Sequence, residues 1–553
     1  MYDSTKGLYV AHCEQGPISI TGKMANRHGL IAGATGTGKT VTLQVLAETF
    51  CQAGVPCFMA DMKGDLSGIS QQGSMSGFIE KRCSEFGIEN PQFDSCPVQF
   101  FDVFGEQGHP MRTTISNMGP QLLSRLMGLN DTQSGVLEIV FRVADDMSLL
   151  LLDIKDLRSM LNYVSEHADE YRQNYGNVTS ASVGAIQRAL LALESQGADK
   201  FFGEPAFDIN DLFRTKGGKG VMSVLAADKL MQNPKLYSSF LLWLISDIYA
   251  TMPEVGDQEL PKLVFFFDEA HTLFTDTSKA LTDKIEQVVR LIRSKGIGIY
   301  FITQSPTDIP ENILGQLGNR IQHALRAYTP KDQRAVKTAA DTFRPNPTFD
   351  TADAIMNLET GEALVSFLDE KGAPAVVERA RILFPLSQIG AIDDSQRKEI
   401  IEWSGLSGKY DTPIDRESAF EVLLANQQQA LREQQAAMEQ EEAYEEAEEQ
   451  ETEEPEAEEK KGKGKKADDK KAEKTGKDSK KKSKSLGAAV VSAAAGAAMT
   501  SVTRSLGTAA ANAITGKKSK STSGKNITNK AITNATSSAL RTLARSILGN
   551  LIK

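Results

Sequence analysis

Gly33-Ala34-Thr35-Gly36-Thr37-Gly38-Lys39-Thr40 matches the phosphate-binding loop pattern G-x-x-x-x-G-K-[ST]. Its glycines let backbone N–H groups turn inward around phosphate oxygens, Lys39 supplies a positive charge to the β- and γ-phosphates, and Thr40 supplies a hydroxyl ligand for Mg²⁺. The flanking sequence favours a short buried strand at 28–32 and a helix at 40–50, which places phosphate at a helix N-terminus. Residues 33–41, ending at Val41, are therefore predicted to bind ATP.

A second motif, Phe265-Phe266-Phe267-Asp268-Glu269, joins a continuous apolar run to two carboxylates. Strands buried on both faces have such runs, and residues at the carboxyl edge of a parallel sheet face the ligand crevice. The pattern predicts a Walker B motif in which Asp268 holds Mg²⁺ and Glu269 orients and deprotonates the attacking water. A helix N-terminus also favours acidic residues, and the two interpretations are compatible.

A third apolar run, Ile299-Tyr300-Phe301-Ile302-Thr303, ends at Gln304. If this strand lies beside the Walker B strand, Gln304 faces the γ-phosphate, where it can position water and report the nucleotide state. The alternative is a strand-end cap before the turn that Pro306 begins.

Two arginines are candidates for a catalytic role between neighbouring copies of the chain. The helical pattern at 281–296 has Arg290 opposite its apolar face and Arg293 on the flank of that face, which is formed by Ile285, Val288, Val289 and Ile292. In a single domain these arginines are simply solvated. In a ring, an exposed arginine can reach the neighbour's γ-phosphate. Arg293 is the first candidate for this finger and Arg320 the second.

Short β-rich runs alternate with helical patterns, which predicts an α/β fold with a RecA-like P-loop NTPase core, a mostly parallel sheet and helices on both faces. Asp61 and Asp65 follow the strand predicted at 56–60. Two interpretations remain open there, namely that they order metal or water and that they form a plain turn. The strand candidates are 29–32, 56–60, 220–226, 262–267, 298–303, 320–327, 362–367 and 375–379, and the helix candidates are 40–53, 237–250, 281–295 and 331–340.

The predicted domain organisation places the core in two parts, 1–109 and 216–385, separated by an α-helical insertion at 110–215. A helical extension follows at 386–430. Residues 432–459 have a net charge of −13 and residues 460–485 a net charge of +9. Such blocks repel themselves and bury little apolar surface, so the linker at 431–485 is predicted to be disordered or transiently helical. The Ala/Ser-rich tail, 486–553, ends in a predicted amphipathic helix.

The cysteines, the N-terminus and the longest uncharged stretch indicate which classes of protein are compatible with this sequence. The five cysteines are odd in number and irregularly spaced, which argues against a disulfide framework or a zinc site. Reduced thiols in a cytoplasmic protein are the preferred interpretation. The N-terminus has no basic region followed by an apolar run, so we expect no signal peptide. The uncharged stretch around 485–503 is too weakly apolar for a membrane span.

Together these motifs resemble the HerA/FtsK superfamily of P-loop ATPases, and most closely its YjgR-type branch with a HerA-like helicase C-terminal domain. The resemblance rests on GATGTGKT, DMKGDL, FFFDEAH, RLIRSKG and ITQSPTDIP and spans roughly residues 7–380. It implies a homo-oligomeric ring, a hexamer in HerA relatives, that hydrolyses ATP with Mg²⁺ and moves double-stranded DNA. It also implies the roles given above for Lys39, Thr40, Asp268, Glu269 and Gln304, with Arg293 as the finger.

Other functions remain open at this stage. The lysine-rich segment 460–484 favours nonspecific binding to nucleic acid, although a solvated tail explains it as well. An ATPase that remodels or secretes a protein, or that docks at a membrane through the C-terminal helix, is the main alternative. A nucleotide-gated scaffold is a further possibility, which the presence of Lys39 and Glu269 argues against. A kinase is a weaker option because the sequence shows no signature of an acceptor site.

Overall fold

The protein is represented by a computed structural model that describes residues 2–3, 7–256, 258–274 and 279–453. Residues 1–432 form one compact unit, and residues 433–553 form a second, of which 433–453 are described and helical. The strands are β1 (Tyr2–Asp3), β2 (Gly7–Cys13), β3 (Gly16–Ile20), β4 (Gly29–Ala32), β5 (Cys57–Asp61), β6 (Val98–Asp102), β7 (His109–Pro110), β8 (Thr215–Lys216), β9 (Lys219–Gly220), β10 (Met222–Ala226), β11 (Leu263–Phe267), β12 (Ile297–Thr303), β13 (Asn319–Gln322), β14 (Glu362–Ser366) and β15 (Glu378–Ile382).

The helices cover both faces of the large sheet and connect its parallel strands. They are α1 (Lys39–Gln52), α2 (Gly77–Phe86), α3 (Ile115–Met127), α4 (Asp131–Asp146), α5 (Ile154–Glu166), α6 (Ala168–Tyr175), α7 (Ser180–Leu193), α8 (Asp199–Phe201), α9 (Pro234–Thr251), α10 (Lys279–Ile292), α11 (Glu311–Leu314), α12 (Pro330–Asp341), α13 (Thr351–Asn357), α14 (Asp394–Glu402) and α15 (Ala419–Glu453).

One sheet runs through the first unit in the order β1-β2-β15-β14-β13-β4-β12-β11-β5-β10-β6-β7, with β3 paired to β2. From β13 to β7 every pairing is parallel, whereas β13 to β14, β14 to β15, and β15 to β2 are antiparallel. The predicted α/β fold with a RecA-like core and a mostly parallel sheet is confirmed. The prediction contained no strands that correspond to β2 and β3, the outer strands of the antiparallel part of the sheet.

The core lies on both faces of this sheet, and its central strands β4, β5, β10, β11 and β12 are buried at every position. Along β11, Phe265 and Phe267 pack into the apolar cluster that contains α9, whereas Val264 and Phe266 pack into the cluster that contains α1. Alternate side chains of a strand point to opposite faces, so a continuous apolar run requires helices on both. The stretch predicted as a helical insertion, 110–215, contains α3 to α8. Its buried apolar side chains belong to the same cluster as those of α9, so it packs directly on the core.

Some predicted elements have different limits in the structure. The strand predicted at 320–327 ends at Gln322, because the following backbone contacts the phosphate loop, and the strand predicted at 375–379 lies at Glu378–Ile382. In the acidic stretch, predicted to be disordered or transiently helical, α15 continues as far as Glu453. Alanine, glutamine and glutamate are strong helix formers, and this propensity outweighs the repulsion between like charges. The basic segment and the Ala/Ser-rich tail lie outside the described residues.

Two further findings concern the cysteines and the helices. All five cysteines are free, and four of them are buried. Within the described ranges, no helix combines the length and the apolar character needed to cross a membrane. The C-terminal helix predicted to touch membranes lies outside those ranges.

Candidate nucleotide site

The phosphate loop runs from the end of β4 into the first turn of α1. Gly33 has a φ of 154°, and a Cβ built there would lie 2.5 Å from the Cβ of His323, so this position requires glycine. The Thr37 hydroxyl closes the loop by donating to the Ala34 carbonyl at 2.7 Å. Helix α1 begins at Lys39 directly after the loop, and its first N–H groups are therefore available to an anion.

The pairing of three strands brings the predicted motifs to one edge of the sheet. β11, β12 and β4 are neighbours and parallel, with Phe267 opposite Phe301 and Thr303 opposite Ala32. Asp268, Gln304 and Gly33 follow these three strands directly, so they lie side by side at the carboxyl edge. The contact is close, since the Gly33 N–H donates to the Thr303 carbonyl at 3.3 Å.

The ammonium group of Lys39 lies inside this edge. Its Nζ donates to the carbonyls of Gly33 at 2.7 Å and Ala34 at 3.1 Å. Burial lowers the pKa of Lys39, while the negative charges of Asp268 and Glu269 raise it. The loop lysine and the carboxylates of Asp268 and Glu269 therefore share one electrostatic environment.

The Asp268 carboxylate is held in a partly desolvated position. Burial raises its pKa to about 6, an effect opposed by the Glu269 N–H, which donates to Oδ1 at 2.9 Å, and by the positive charges of Lys39 and Lys63. The Tyr237 hydroxyl donates to the Asp268 carbonyl at 3.3 Å and so holds the backbone at the strand end. At neutral pH the Asp268 carboxylate is mostly ionised, and a cation beside it would complete its ionisation.

The Glu269 carboxylate is directed by an unusual backbone conformation. Glu269 has φ and ψ of 45° and 47°, in the left-handed region that costs a non-glycine residue about 1–2 kcal/mol. The sharp turn places its Oε2 3.5 Å from the Gln304 Nε2, which donates to it, and 3.4 Å from the His271 Nδ1. Strain of this kind is common at functional sites. The turn brings the predicted base and the predicted sensor into contact.

A buried histidine that the sequence analysis did not single out fixes the position of α1. The His323 N–H donates to the Ala32 carbonyl at 2.7 Å, its ring Nδ1 lies 2.9 Å from the Glu362 carbonyl, and its Nε2 lies 2.8 Å from the Thr42 Oγ1. Burial lowers the pKa of His323 to about 4, so the ring is neutral at pH 7. A carbonyl only accepts, so Nδ1 carries the proton and Nε2 accepts from the Thr42 hydroxyl.

The turn before β14 provides a second contact with the loop. The Gly361 N–H donates to the Thr37 carbonyl at 3.0 Å, and the Arg82 Nη2 donates to the Gly361 carbonyl at 3.0 Å. Gly361 has a φ of 77°, and a Cβ there would lie 2.7 Å from the same guanidinium nitrogen. The loop and the start of α1 are thus braced by residues next to β13 and β14, of which His323 lies 281 residues after Thr42.

Two further residues follow β5, beside the Walker B strand. Asp61 accepts the N–H groups of Lys63 at 3.3 Å and Leu66 at 3.2 Å, and burial raises its pKa to about 6. This geometry favours the turn-forming interpretation of Asp61. Lys63, in contrast, is exposed and lowers the pKa of both Lys39 and Asp268, so it adds positive charge to the site. The motif DMKGD contained this lysine, but its distance from the loop is visible only in the folded sheet.

A family model described as the HerA-like helicase C-terminal domain matches residues 7–520 of this sequence. The chain belongs to this family. In this HerA-like chain the loop, the Asp268 and Glu269 carboxylates and the strand-end glutamine lie on one sheet edge.

The relatives of this HerA-like chain match it over a limited stretch. The DNA double-strand break repair helicase HerA of Sulfolobus acidocaldarius is 34% identical over 99 residues, which are 18% of this chain and 19% of the relative. HerA of Sulfurisphaera tokodaii is 33% identical over 108 residues, 19% and 20% of the two chains. The chain thus matches about a fifth of the length of these curated relatives.

Solved structures with a related arrangement include the bacterial conjugative coupling protein TrwB, with a TM-score of 0.46 and 14% identity, covering 70% of this chain and 91% of TrwB. VirB4 of Thermoanaerobacter pseudethanolicus has a TM-score of 0.43 and 15% identity, covering 69% of this chain and 97% of VirB4.

The candidate finger of this HerA-like chain lies at the other edge of the sheet. Arg293 follows α10 and precedes β12, whereas the phosphate loop lies beyond the opposite end of that strand. β12 has seven residues, so its two ends are about 20 Å apart. Arg27, Arg290, Arg293 and Arg320 line one cleft of about 510 Å³ there. The Arg320 guanidinium donates to the carbonyls of Leu314, Leu317 and Thr342, so it is used within its own chain. Arg293 and Arg290 are exposed.

Proposed function

We propose that this HerA-like chain is an ATP-hydrolysing ring motor that moves double-stranded DNA. The observation that carries the proposal is the convergence of Lys39, Asp268, Glu269 and Gln304 on one sheet edge while an arginine-lined cleft lies on the other. A single copy then holds both halves of a composite site on opposite sides, which is the arrangement that a closed ring of identical copies requires.

In the proposed reaction, loop residues 33–41 hold the phosphates through backbone N–H groups, and Lys39 neutralises the charge on the β- and γ-phosphates. Glu269 accepts the proton of the attacking water, while the Gln304 amide, already hydrogen-bonded to Glu269, orients that carboxylate. The amide is also placed to respond when the γ-phosphate leaves, because it lines a cavity of about 590 Å³ that reaches from Thr35 of the loop to Lys331 of α12.

The residues at the site fit a magnesium ion. Mg²⁺ takes oxygen ligands and is usually bound by one or two protein groups together with phosphates and water. The Thr40 hydroxyl and the Asp268 carboxylate are of this type and would hold it. Bound there, Mg²⁺ would offset charge on the phosphate oxygens.

The first test separates DNA-directed activity from the alternatives. The ATPase rate of the full chain is measured at low salt with and without double-stranded DNA, beside Glu269→Gln. We expect DNA to raise the rate, and Glu269→Gln to abolish turnover while ATP still binds. A rate that DNA leaves unchanged would contradict a DNA motor and favour an ATPase that acts on a protein or at a membrane.

The second test addresses the ring. Lys39→Ala and Arg293→Ala are each expected to be inactive, since an arginine finger contributes about 10³-fold or more to turnover. Mixed together, they should recover activity, because a Lys39→Ala copy still presents Arg293 to a neighbour with a working loop. A mixture of Lys39→Ala and Glu269→Gln is the matched control, since both changes disable the same half-site. Equal inactivity of the two mixtures, or a monomeric mass with ATP, would contradict the finger in trans.

A further inference from the structure

The exposed face of α12 is positively charged. Lys331, Arg334 and Lys337 follow one another at intervals of three residues, so they lie within about one third of the helix circumference, and all three are exposed. Val336 and Ala339, on the opposite side of the helix, are buried. We call the three cations the basic face. It contrasts with the chain as a whole, whose net charge is −10.

Acidic side chains do not neutralise the basic face. In the part of the chain that the structure describes, none of its three cations forms an ion pair. Asp332, the only acid between them in sequence, accepts the N–H groups of Tyr328 at 3.2 Å and Thr329 at 2.9 Å, so its carboxylate is turned toward the start of α12. Asp341 lies at the other end of the helix. Unpaired cations side by side on one helix face attract a polyanion.

The segment before α12 adds two more hydrogen-bond donors. Tyr328 is 87% accessible, and Arg326, which is also exposed, lines the same cavity as Lys331. The Arg326 guanidinium donates to the carbonyls of Met356 at 2.7 Å and Leu358 at 3.3 Å, which holds it in place. Arginine, lysine and tyrosine side chains are common donors to the phosphates of DNA. The surface therefore has the chemistry that a nucleic-acid backbone requires.

The length of the basic face also suits this ligand. Its six-residue span along α12 is about 9 Å, at about 1.5 Å per residue. Successive phosphates of one strand of duplex DNA are about 3.4 Å apart along the duplex axis. Each of the three cations can therefore contact a phosphate of the same strand.

The basic face is connected to the nucleotide site. Gln304 and Lys331 line one cavity, and the short turn Pro306–Asp308, which begins two residues after Gln304, packs against α12. The Asp308 Oδ2 accepts the Thr303 hydroxyl at 2.8 Å and the Ser305 N–H at 3.0 Å, so the turn is fixed to the strand that ends at Gln304. A shift of Gln304 is therefore transmitted to α12 through this turn.

We propose that the basic face of α12, together with Arg326 and Tyr328, binds the phosphate backbone of double-stranded DNA. The proposal rests on the proposed function in one respect, namely that duplex DNA is the polymer that the motor moves. Contacts to phosphates read no base sequence, so this binding is independent of sequence and weakens steeply as salt rises. DNA held there lies beside the element that Gln304 displaces when the γ-phosphate leaves.

The experiment measures how a fluorescent DNA duplex binds to the full-length chain at a series of salt concentrations, with ATP and Mg²⁺ in the Glu269→Gln background. The basic-face variant combines Lys331→Gln, Arg334→Gln and Lys337→Gln. The control variant removes the same charge from exposed positions on α6, α7 and α8, through Arg172→Gln, Arg188→Gln and Lys200→Gln. Glutamine is a good helix former, so the helices are kept.

The expected result is a change in the salt dependence. Each phosphate contact contributes about 0.9 to the slope of log affinity against log salt, so the basic-face variant should lose about 2.7 of that slope. The control variant should keep the slope of the parent. Any binding by the lysine-rich segment 460–484 is common to all three proteins and cancels in the comparison.

The outcomes separate the basic face from the motor. Equal slopes in the basic-face and control variants would overturn the DNA site, and a loss confined to single-stranded DNA would overturn the choice of duplex. Arg334→Gln alone should lose about 0.9 of slope, which gives an independent result if the triple variant does not fold. A slope that falls as expected while DNA leaves the parent's ATPase rate unchanged contradicts the proposed function but not the basic face. A parent that binds no duplex DNA would overturn both.

Discussion

The hydroxyl of Thr42 donates to the Nε2 of a histidine that braces the phosphate loop, and Thr42→Val tests what that contact contributes. Both residues are fully buried, at 0% exposure. Valine keeps the branched shape of threonine, so packing is preserved and one O–H donor is lost. The Nε2 lone pair of His323 then remains buried without its donor, because Nδ1 carries the single ring proton toward Glu362.

The expected magnitude follows from that unpaired acceptor. Leaving a buried polar atom unsatisfied costs about 1–3 kcal/mol, so Thr42→Val should lower the free energy of unfolding by that amount. His323 also contacts the loop directly, at Ala32 and against Gly33. A looser histidine leaves the loop less ordered before binding, so the apparent Kd for ATP should rise about tenfold, equivalent to about 1.4 kcal/mol.

The assay combines urea unfolding, followed by circular dichroism, with calorimetric titration of ATP in the Glu269→Gln background. Thr42→Ser is the matched control for ATP binding, since it keeps the hydroxyl and should bind ATP as the parent does; in urea it should lose only about 0.5–1.5 kcal/mol for its missing buried methyl group. Nitrogen-15 spectra should show His323 neutral, with the proton on Nδ1, in the parent and in Thr42→Ser. Thr42→Val that unfolds at the parent's urea concentration and binds ATP equally well would refute the reasoning, as would a parent ring protonated on Nε2.

Three further predictions follow from the same geometry. Activity should fall as pH drops through about 6, because Asp268 with its raised pKa takes up a proton and loses its affinity for a cation; a rate profile flat from pH 8 to pH 5 would contradict this. Burial also raises the pKa of Glu48 to about 7, so the folded chain binds a proton that the unfolded chain releases. Stability should therefore decline by up to about 3 kcal/mol as pH rises from 5 to 8, and urea titrations of Glu48→Gln should lack most of that slope. Gly361→Ala should destabilise the chain by more than Gly372→Ala, because both positions have a φ near 80° but only an alanine at 361 crowds Arg82. Equal melting temperatures of the two variants would contradict the role of the Gly361–Arg82 contact in supporting the loop.

The sequence by itself determined the parts of this site whose chemistry is contiguous in the chain. A phosphate loop needs its glycines, lysine and threonine within eight residues, and a Walker B strand needs its apolar run directly before its carboxylates. Gln304 was also predictable, because a buried strand ending in an amide is a local pattern. The same runs predicted the parallel sheet, since strands buried on both faces are apolar throughout.

Tertiary structure alone decided which distant residues meet at that edge. The contacts of His323 with Thr42 and of Gly361 with Thr37 join segments that have no pattern in common, because each contact depends on strand order and register. Lys63 belongs to the DMKGDL motif, but only the pairing of β5 with β11 places its charge near Lys39. Likewise, the position of Arg293 at the opposite edge follows from the direction of β12. Local spacing specifies the reacting groups, whereas their supports and their orientation toward a neighbour arise from folding the sheet.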